Sequence, residues 1–182
     1  MSAHRVPRTE CRRRRRSDEL DARSRRRGFV RRQVLPRPID EVFEFFSDGR
    51  NLAAITPPWL GFRIVSAPAE LERGALIRYR LRLKGVPVRW LTEITDWQPP
   101  RSFTDVQLAG PYRIWEHTHR LAPLGGETEM YDHVLYLVPG GPIAPLVDRV
   151  VVRPLLDEIF DYRARRVREL LGADEFLRRP AS

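Results

Sequence analysis

Two imidazoles on alternate residues, His117 and His119, follow Trp115 in a segment whose intervening positions are Glu116, Thr118 and Arg120. Side chains of an extended chain alternate between two faces, so Trp115, His117, His119 and Leu121 share one of them. Trp115 and Leu121 mark that face as the inward one. Phe103, Asp105 and Gln107 alternate in the same way one segment earlier, and Asp132 stands among Thr128, Met130, Val134 and Tyr136 one segment later. If these faces coincide, Asp105, Gln107, His117, His119 and Asp132 meet inside an aromatic wall. A carboxylate buried there needs a partner, and imidazole is the least costly one near neutral pH.

Three chemistries suit such a group. The first is a satisfied polar network in which Asp105 or Asp132 fixes an imidazole tautomer and the strand register. The second adds a guest, with a histidine or Gln107 bonded to an oxygen of a mostly apolar molecule. The third is chelation, because His-x-His can hold zinc; it asks for further ligands at fixed geometry, and no metal and no cofactor is assigned from the sequence. For acid or base catalysis the residues would be His117 with Asp105 or Asp132. The chain has no nucleophile motif, phosphate loop or zinc-hydrolase signature. Tyr79, Trp90 and Tyr136 complete the candidate lining with Trp115, while Trp59 reads as a lid or hydrophobic anchor.

Positioning these residues takes a sheet. Turn residues separate apolar runs at Phe29–Leu35, Phe62–Ala67, Ala75–Leu83, Val88–Trp97, Ser102–Leu108, Tyr112–Leu121 and Thr128–Leu137. The last six are joined by short links and imply an antiparallel meander. Ile77, Tyr79, Leu81 and Leu83 take one face of their strand, and Arg78, Arg80, Arg82 and Lys84 take the other as a solvated row. Between the first and second strands, Ile39, Val42, Phe43 and Phe46 have helical spacing after Pro38, and a second short helix is expected over Asp48–Ile55 before Thr56-Pro57-Pro58-Trp59. After Gly140-Gly141-Pro142 the period becomes helical again through Leu146, Val150, Ile159, Val167 and Leu170 to about Leu171. Arg163, Arg165, Arg166 and Arg168 suit its carboxyl end, and Pro154 demands a kink or break near Val150–Arg153. Such a helix buries its apolar face by packing across the concave side of the sheet, which closes a cavity.

Charge divides the chain. Residues 1–32 hold 13 Arg against Glu10, Asp18, Glu19 and Asp21, an excess of nine that equals the whole formal charge of +9. We expect a disordered Arg-rich leader at 1–28, a single domain at 29–172 and a flexible tail at 173–182. The neutral domain argues against a specific nucleic-acid track. Asp18, Glu19 and Asp21 occupy the place of a signal peptide's apolar core, no apolar run reaches a membrane span, and Cys11 stands alone, so a cytoplasmic protein is expected. The sequence sets no oligomeric state.

The order strand, two short helices, six strands and long terminal helix resembles the helix-grip fold of the START-like, or SRPBCC, superfamily, which includes the Bet v 1-like allergens, lipid-transfer domains and polyketide cyclases. Asn51-Leu52, Gly85-Val86-Pro87-Val88-Arg89-Trp90, Trp97-Gln98-Pro99-Pro100-Arg101, Gly110-Pro111-Tyr112, Trp115-Glu116-His117-Thr118-His119 and Phe160-Asp161-Tyr162-Arg163 resemble its bacterial ligand-binding and cyclase/dehydrase-like members. The resemblance covers roughly residues 30 to 170. It implies an α+β fold, with a curved antiparallel sheet of about seven strands gripping a long C-terminal helix over a cavity. It further implies a small hydrophobic or polyketide-like guest, with a cyclase/dehydratase or a protein-interaction scaffold as alternatives, because the fold hosts carriers, receptors and enzymes alike.

Overall fold

The computed structural model of the chain describes residues 26–172. Most of the expected leader, and the expected tail, lie outside the described residues. Strand β1 spans Arg27–Leu35, helix α1 Ile39–Ser47 and helix α2 Asn51–Ala54, followed by a 3-10 turn at Pro58–Leu60. The first strand thus starts two residues before the expected Phe29. The second helix is a single turn, shorter than the expected Asp48–Ile55. Strands β2 (Arg63–Ser66), β3 (Leu76–Leu83), β4 (Val86–Gln98), β5 (Ser102–Ala109), β6 (Ile114–Leu124) and β7 (Glu127–Leu137) form the meander. All seven strands lie in one antiparallel sheet of order β1-β7-β6-β5-β4-β3-β2. Because β1 pairs with the last strand while α1 and α2 lead to the opposite edge, the meander is tied at both ends by its own N-terminal segment.

Local sequence explains the elements. The β3–β4 hairpin turns through Lys84 (φ 49°) and Gly85 (φ 85°), the paired left-handed conformations that a two-residue hairpin link requires. Helix α1 buries Val42, Phe43, Phe45 and Phe46 and carries Asp40 and Glu41 in its first turn, where the helix dipole favours acids. The basic row of β3 is outward: Arg78, Arg80 and Arg82 are exposed, while Ile77 and Leu81 are buried.

The C-terminal segment solves the problem set by Pro154. After a 3-10 turn at Gly141–Ile143 come a short helix α3 (Ala144–Val147), a π-helical turn over Asp148–Val152 and the long helix α4 (Arg153–Gly172). The Arg153 amide reaches back five residues to the Asp148 carbonyl, so the ladder is re-phased just where Pro154 has no amide to give. The Tyr136 hydroxyl donates to Asp148 Oδ1 at 2.8 Å and fastens this turn to β7. At the far end Arg37 Nε donates to the Leu171 carbonyl at 2.7 Å, satisfying a terminal acceptor and placing a cation at the negative end of the helix. This duty was expected of the helix's own arginines. They end a turn too early, and Arg166 instead pairs with Glu169 at 3.1 Å.

Helix α4 buries Leu155, Leu156, Phe160, Val167 and Leu171. Its two ends meet separate apolar clusters, one built on Phe43, Phe46, Phe103 and Met130, the other on Phe29, Val134, Tyr136 and Phe160. Phe160 packs on Phe29 with ring centroids 4.8 Å apart. Phe160→Ala should therefore cost about 3–5 kcal/mol in urea unfolding, as deletion of a packed aromatic does. Glu158→Ala, on the exposed side of the same helix, should change stability by less than about 0.5 kcal/mol; equal effects would mean that the helix does not pack as described.

Candidate functional site

The sheet register brings the chemistry-bearing residues together. Asp105 of β5 stands opposite His117 of β6, and His119 stands opposite Asp132 of β7. The four side chains occupy the middle of the concave face, between the two apolar clusters. His117 Nε2 lies 3.0 Å from Asp132 Oδ1, and His119 Nδ1 lies 2.7 Å from the same oxygen, off the line of a good hydrogen bond. On the other side Asp105 Oδ2 stands 3.6 Å from His117 Nδ1 and 3.7 Å from His119 Nε2. Those two separations exceed a direct hydrogen bond. Asp105 Oδ1 receives the Thr92 hydroxyl at 3.1 Å.

Aromatic rings hold the imidazoles. Phe103 stacks on His119 at 4.1 Å, the two imidazoles lie 3.9 Å apart, and Phe160 meets His117 edge-on at 5.4 Å. Burial, and then the neighbouring His119, push the His117 imidazolium down to about 4, so this ring is neutral at pH 7. Burial alone would raise Asp132. The hydrogen bond from His117 and the close approach of His119 outweigh it and hold the carboxyl well below its usual range. Asp105 is likewise lowered, with burial opposed by His119, His117 and Thr92.

Beside this group lies a cavity of about 170 Å³. Its walls come from β3 (Ile77, Tyr79, Leu81), β4 (Trp90, Thr92, Ile94), β5 and β6 (Phe103, Asp105, Trp115, His117, His119), the α1–α2 region and α4 (Leu155, Ile159, Phe160, Arg163). Tyr79 stacks on Trp90 at 5.7 Å, and Trp90 meets Trp115 edge-on at 5.3 Å. Burial, then the charge of Asp105, raise the Tyr79 hydroxyl well above its ordinary value, so it stays protonated. Trp90 Nε1 and Arg163 Nε are buried donors without a protein partner.

Six of the sequence-derived candidates line this cavity: Tyr79, Trp90, Asp105, Trp115, His117 and His119. Four do not. Asp132, 1% exposed, sits behind the histidines. Tyr136 is spent on Asp148. Trp59 is 48% exposed and packs edge-on against Tyr162 of α4 at 5.2 Å, outside the cavity. Gln107 donates from Nε2 to the Tyr112 carbonyl at 2.7 Å and accepts from the Tyr112 amide at 3.3 Å, so its amide shapes the β5–β6 link. Sequence reasoning passed over Thr92, Tyr112 and Arg163. Arg163 was legible: it falls on the stripe Leu156, Phe160, Val167, where a charge has no place unless it faces something polar. Asp105, His117 and His119 are also the one group among the described residues whose ligand atoms, within 4.8 Å of one another, are spaced to hold a cation.

The Gln107 clamp explains Gly110. A Cβ at Gly110 would lie 2.3 Å from Gln107 Oε1. Gln107→Ala should cost about 1–2 kcal/mol through its two lost bonds, and Gly110→Ala should cost a similar amount by evicting the amide. Combined, the two should cost little more than either alone in a double-mutant cycle; additive effects would sink this account.

The comparisons agree with the geometry. The family model for polyketide cyclase/dehydrase and lipid transport proteins matches residues 26–172. No curated protein matches in sequence. Among solved structures, a protein of Thermus thermophilus is 18% identical, with 80% of this chain and 97% of that one covered and a TM-score of 0.66. A START superfamily protein of Mycobacterium smegmatis is 15% identical (79% and 98% covered, TM-score 0.59). The Zhui aromatase/cyclase of a Streptomyces species is 20% identical (86% and 97% covered, TM-score 0.59). No helix among the described residues is long and apolar enough to cross a membrane. With a seven-stranded sheet gripping a terminal helix over an apolar cavity, the chain belongs to the polyketide cyclase/dehydrase and lipid transport family of the START-like, or SRPBCC, superfamily.

Proposed function

We propose that the chain binds one small, mostly apolar, oxygen-bearing molecule of hydrophobic or polyketide-like type. The observation that carries this reading is the composition of the cavity wall: aromatic and aliphatic side chains surround it, while Asp105, His117 and His119 meet it at one side and the unpartnered donors of Trp90 and Arg163 at others. Apolar surface supplies most of the binding free energy, and a few polar groups set orientation. Buried donors without partners favour a guest that brings acceptor oxygens. Tyr79, Trp90 and Trp115 are the aromatic contacts in this reading, and His117 or His119 the polar one. A cytoplasmic setting accords with the lone Cys11.

A second reading, a cyclase/dehydratase-like enzyme, is favoured by one feature: a neutral imidazole at the cavity wall backed by a buried carboxylate. His117 oriented by Asp132 has the arrangement of a general base, and Asp105, 3.6 Å from its Nδ1, is the carboxylate on the cavity side to exchange protons with it. A dehydration or an intramolecular aldol closure needs only such proton transfers at a carbonyl-bearing guest.

Fluorescence titration with anilinonaphthalene sulfonate, an apolar probe with an anionic head, tests the binding reading. Ile159→Trp, which fills the cavity from α4, should weaken capture about tenfold or more, equivalent to about 1.4 kcal/mol, with the fold retained by circular dichroism. His117→Ala should weaken it by about 0.5–1.5 kcal/mol if the ring bonds the head group. Capture that ignores Ile159→Trp would place the probe elsewhere and end the cavity reading. Turnover of a poly-β-ketone analogue in which kcat falls far more than affinity in His117→Ala would favour the enzyme.

A further inference from the structure

One side of the polar group is left without hydrogen bonds. His117 Nε2 is bonded to Asp132 Oδ1, which leaves Nδ1 turned toward Asp105; His119 Nδ1 stands 2.7 Å from the same Asp132 oxygen but off the line of a hydrogen bond, and its Nε2 is also turned toward Asp105. Both ring nitrogens face Asp105 Oδ2, at 3.6 and 3.7 Å, beyond a direct hydrogen bond. The nearby hydroxyl of Thr92 is directed at Asp105 Oδ1 and the Val106 carbonyl, not at this gap. Three atoms able to ligate a metal therefore converge, within 4.8 Å of one another, with no hydrogen bond between Asp105 and either ring.

We propose that Asp105 Oδ2, His117 Nδ1 and His119 Nε2 form a binding site for a divalent transition-metal ion of the zinc or iron(II) class. Two imidazoles and a carboxylate are the ligand set such ions take, and three protein ligands leave coordination positions open on the cavity side. Ligands at about 2.0–2.1 Å around a tetrahedral centre stand about 3.3–3.4 Å apart. The two distances to Asp105 need to close by a few tenths of an ångström to reach that spacing, and the three ligand atoms, all within 4.8 Å of one another, draw together by side-chain rotation when an ion binds. The surrounding shell also fits. Asp132 holds the far nitrogen of His117 by a hydrogen bond and stands 2.7 Å from the far nitrogen of His119, and Thr92 orients the Asp105 carboxylate.

The site does not depend on the guest. That the guest's carbonyl, enolate or phenolate oxygen takes an open coordination position does rest on the cavity reading above. In that arrangement the ion would polarise the oxygen as a Lewis acid while His117 and His119 act as ligands, not as bases.

The test uses the full chain without a purification tag, stripped with a chelator and titrated first with Co²⁺ and then with Zn²⁺. One Co²⁺ per chain should bind with a visible d–d spectrum free of sulfur charge transfer, and Zn²⁺ should displace it one for one. Asp105→Asn and His117→Ala should abolish the spectrum, whereas Asp132→Asn should keep it and weaken affinity about 10–100-fold. Cys11→Ser and His133→Ala should change nothing. A wild-type chain that shows no stoichiometric Co²⁺ spectrum overturns the proposal, whatever the variants do. So does a spectrum that survives Asp105→Asn or that Cys11→Ser removes. Anilinonaphthalene sulfonate capture by the stripped chain keeps the two questions apart: capture without metal leaves the cavity reading standing alone, and metal without capture leaves the metal site alone.

Discussion

Everything in the interior is arranged around one buried charge. The Asp132 carboxylate is taken almost wholly out of water, a transfer that costs several kcal/mol even after the protein relaxes. What offsets this is the approach of two imidazoles to a single oxygen. The arrangement works in one register only, since a slip of β7 by one residue against β6 would turn Asp132 outward and bring Tyr131 and His133 in, away from partners suited to His117 and His119. The polar group thus specifies the strand pairing as well as the chemistry.

The apolar architecture follows from that constraint. A polar layer in mid-sheet separates the Phe43–Met130 cluster from the Phe29–Tyr136 cluster, with two smaller clusters on the β3–β4 side. Helix α4 bridges them, with Phe160 touching both the Phe29 cluster and His117. Its π-helical turn lets one amphipathic stripe stay aimed at the sheet despite Pro154. Between this stripe and the β3–β6 part of the sheet, side chains do not fill the space, and the cavity is what remains.

Much of this was legible because period-two alternation is a strong signal. The inward row of β6, the Phe103–Asp105 row and the Met130–Val134 row could be assigned to one face from residue types alone, and the sheet places them there. Depth was not legible. Asp132 and Asp105 look alike in sequence, yet one is sealed behind the imidazoles and the other meets the cavity, because that difference depends on where the sheet curves. Gln107 shares the Asp105 face but stands near the end of β5, where a chain reversal offers its amide two backbone partners five residues away. Tyr136 and Arg37 find their partners in elements distant in sequence, Asp148 and Leu171, so alternation and helical spacing say nothing of them. Trp59, read as a lid or hydrophobic anchor, packs on Tyr162 of α4 and does not line the cavity, because its place in the Pro57-Pro58 turn is set by that distant partner and not by a repeating pattern.

The pairing of the first strand with the last has a consequence for biosynthesis. β1 is synthesised before its partner β7, and residue pairs such as Arg32 and Glu129 are 97 positions apart. At about 5–20 residues per second, β1 waits roughly 5–20 s for its partner. During that interval Phe29, Val34 and Leu35 form an unpaired apolar edge, the kind of segment that aggregates. Arg27, Arg31 and Arg32 are interleaved with them, and their mutual repulsion keeps nascent copies of the strand from pairing with one another. The basic residues on β1 can therefore be understood as guardians of a sheet that closes last.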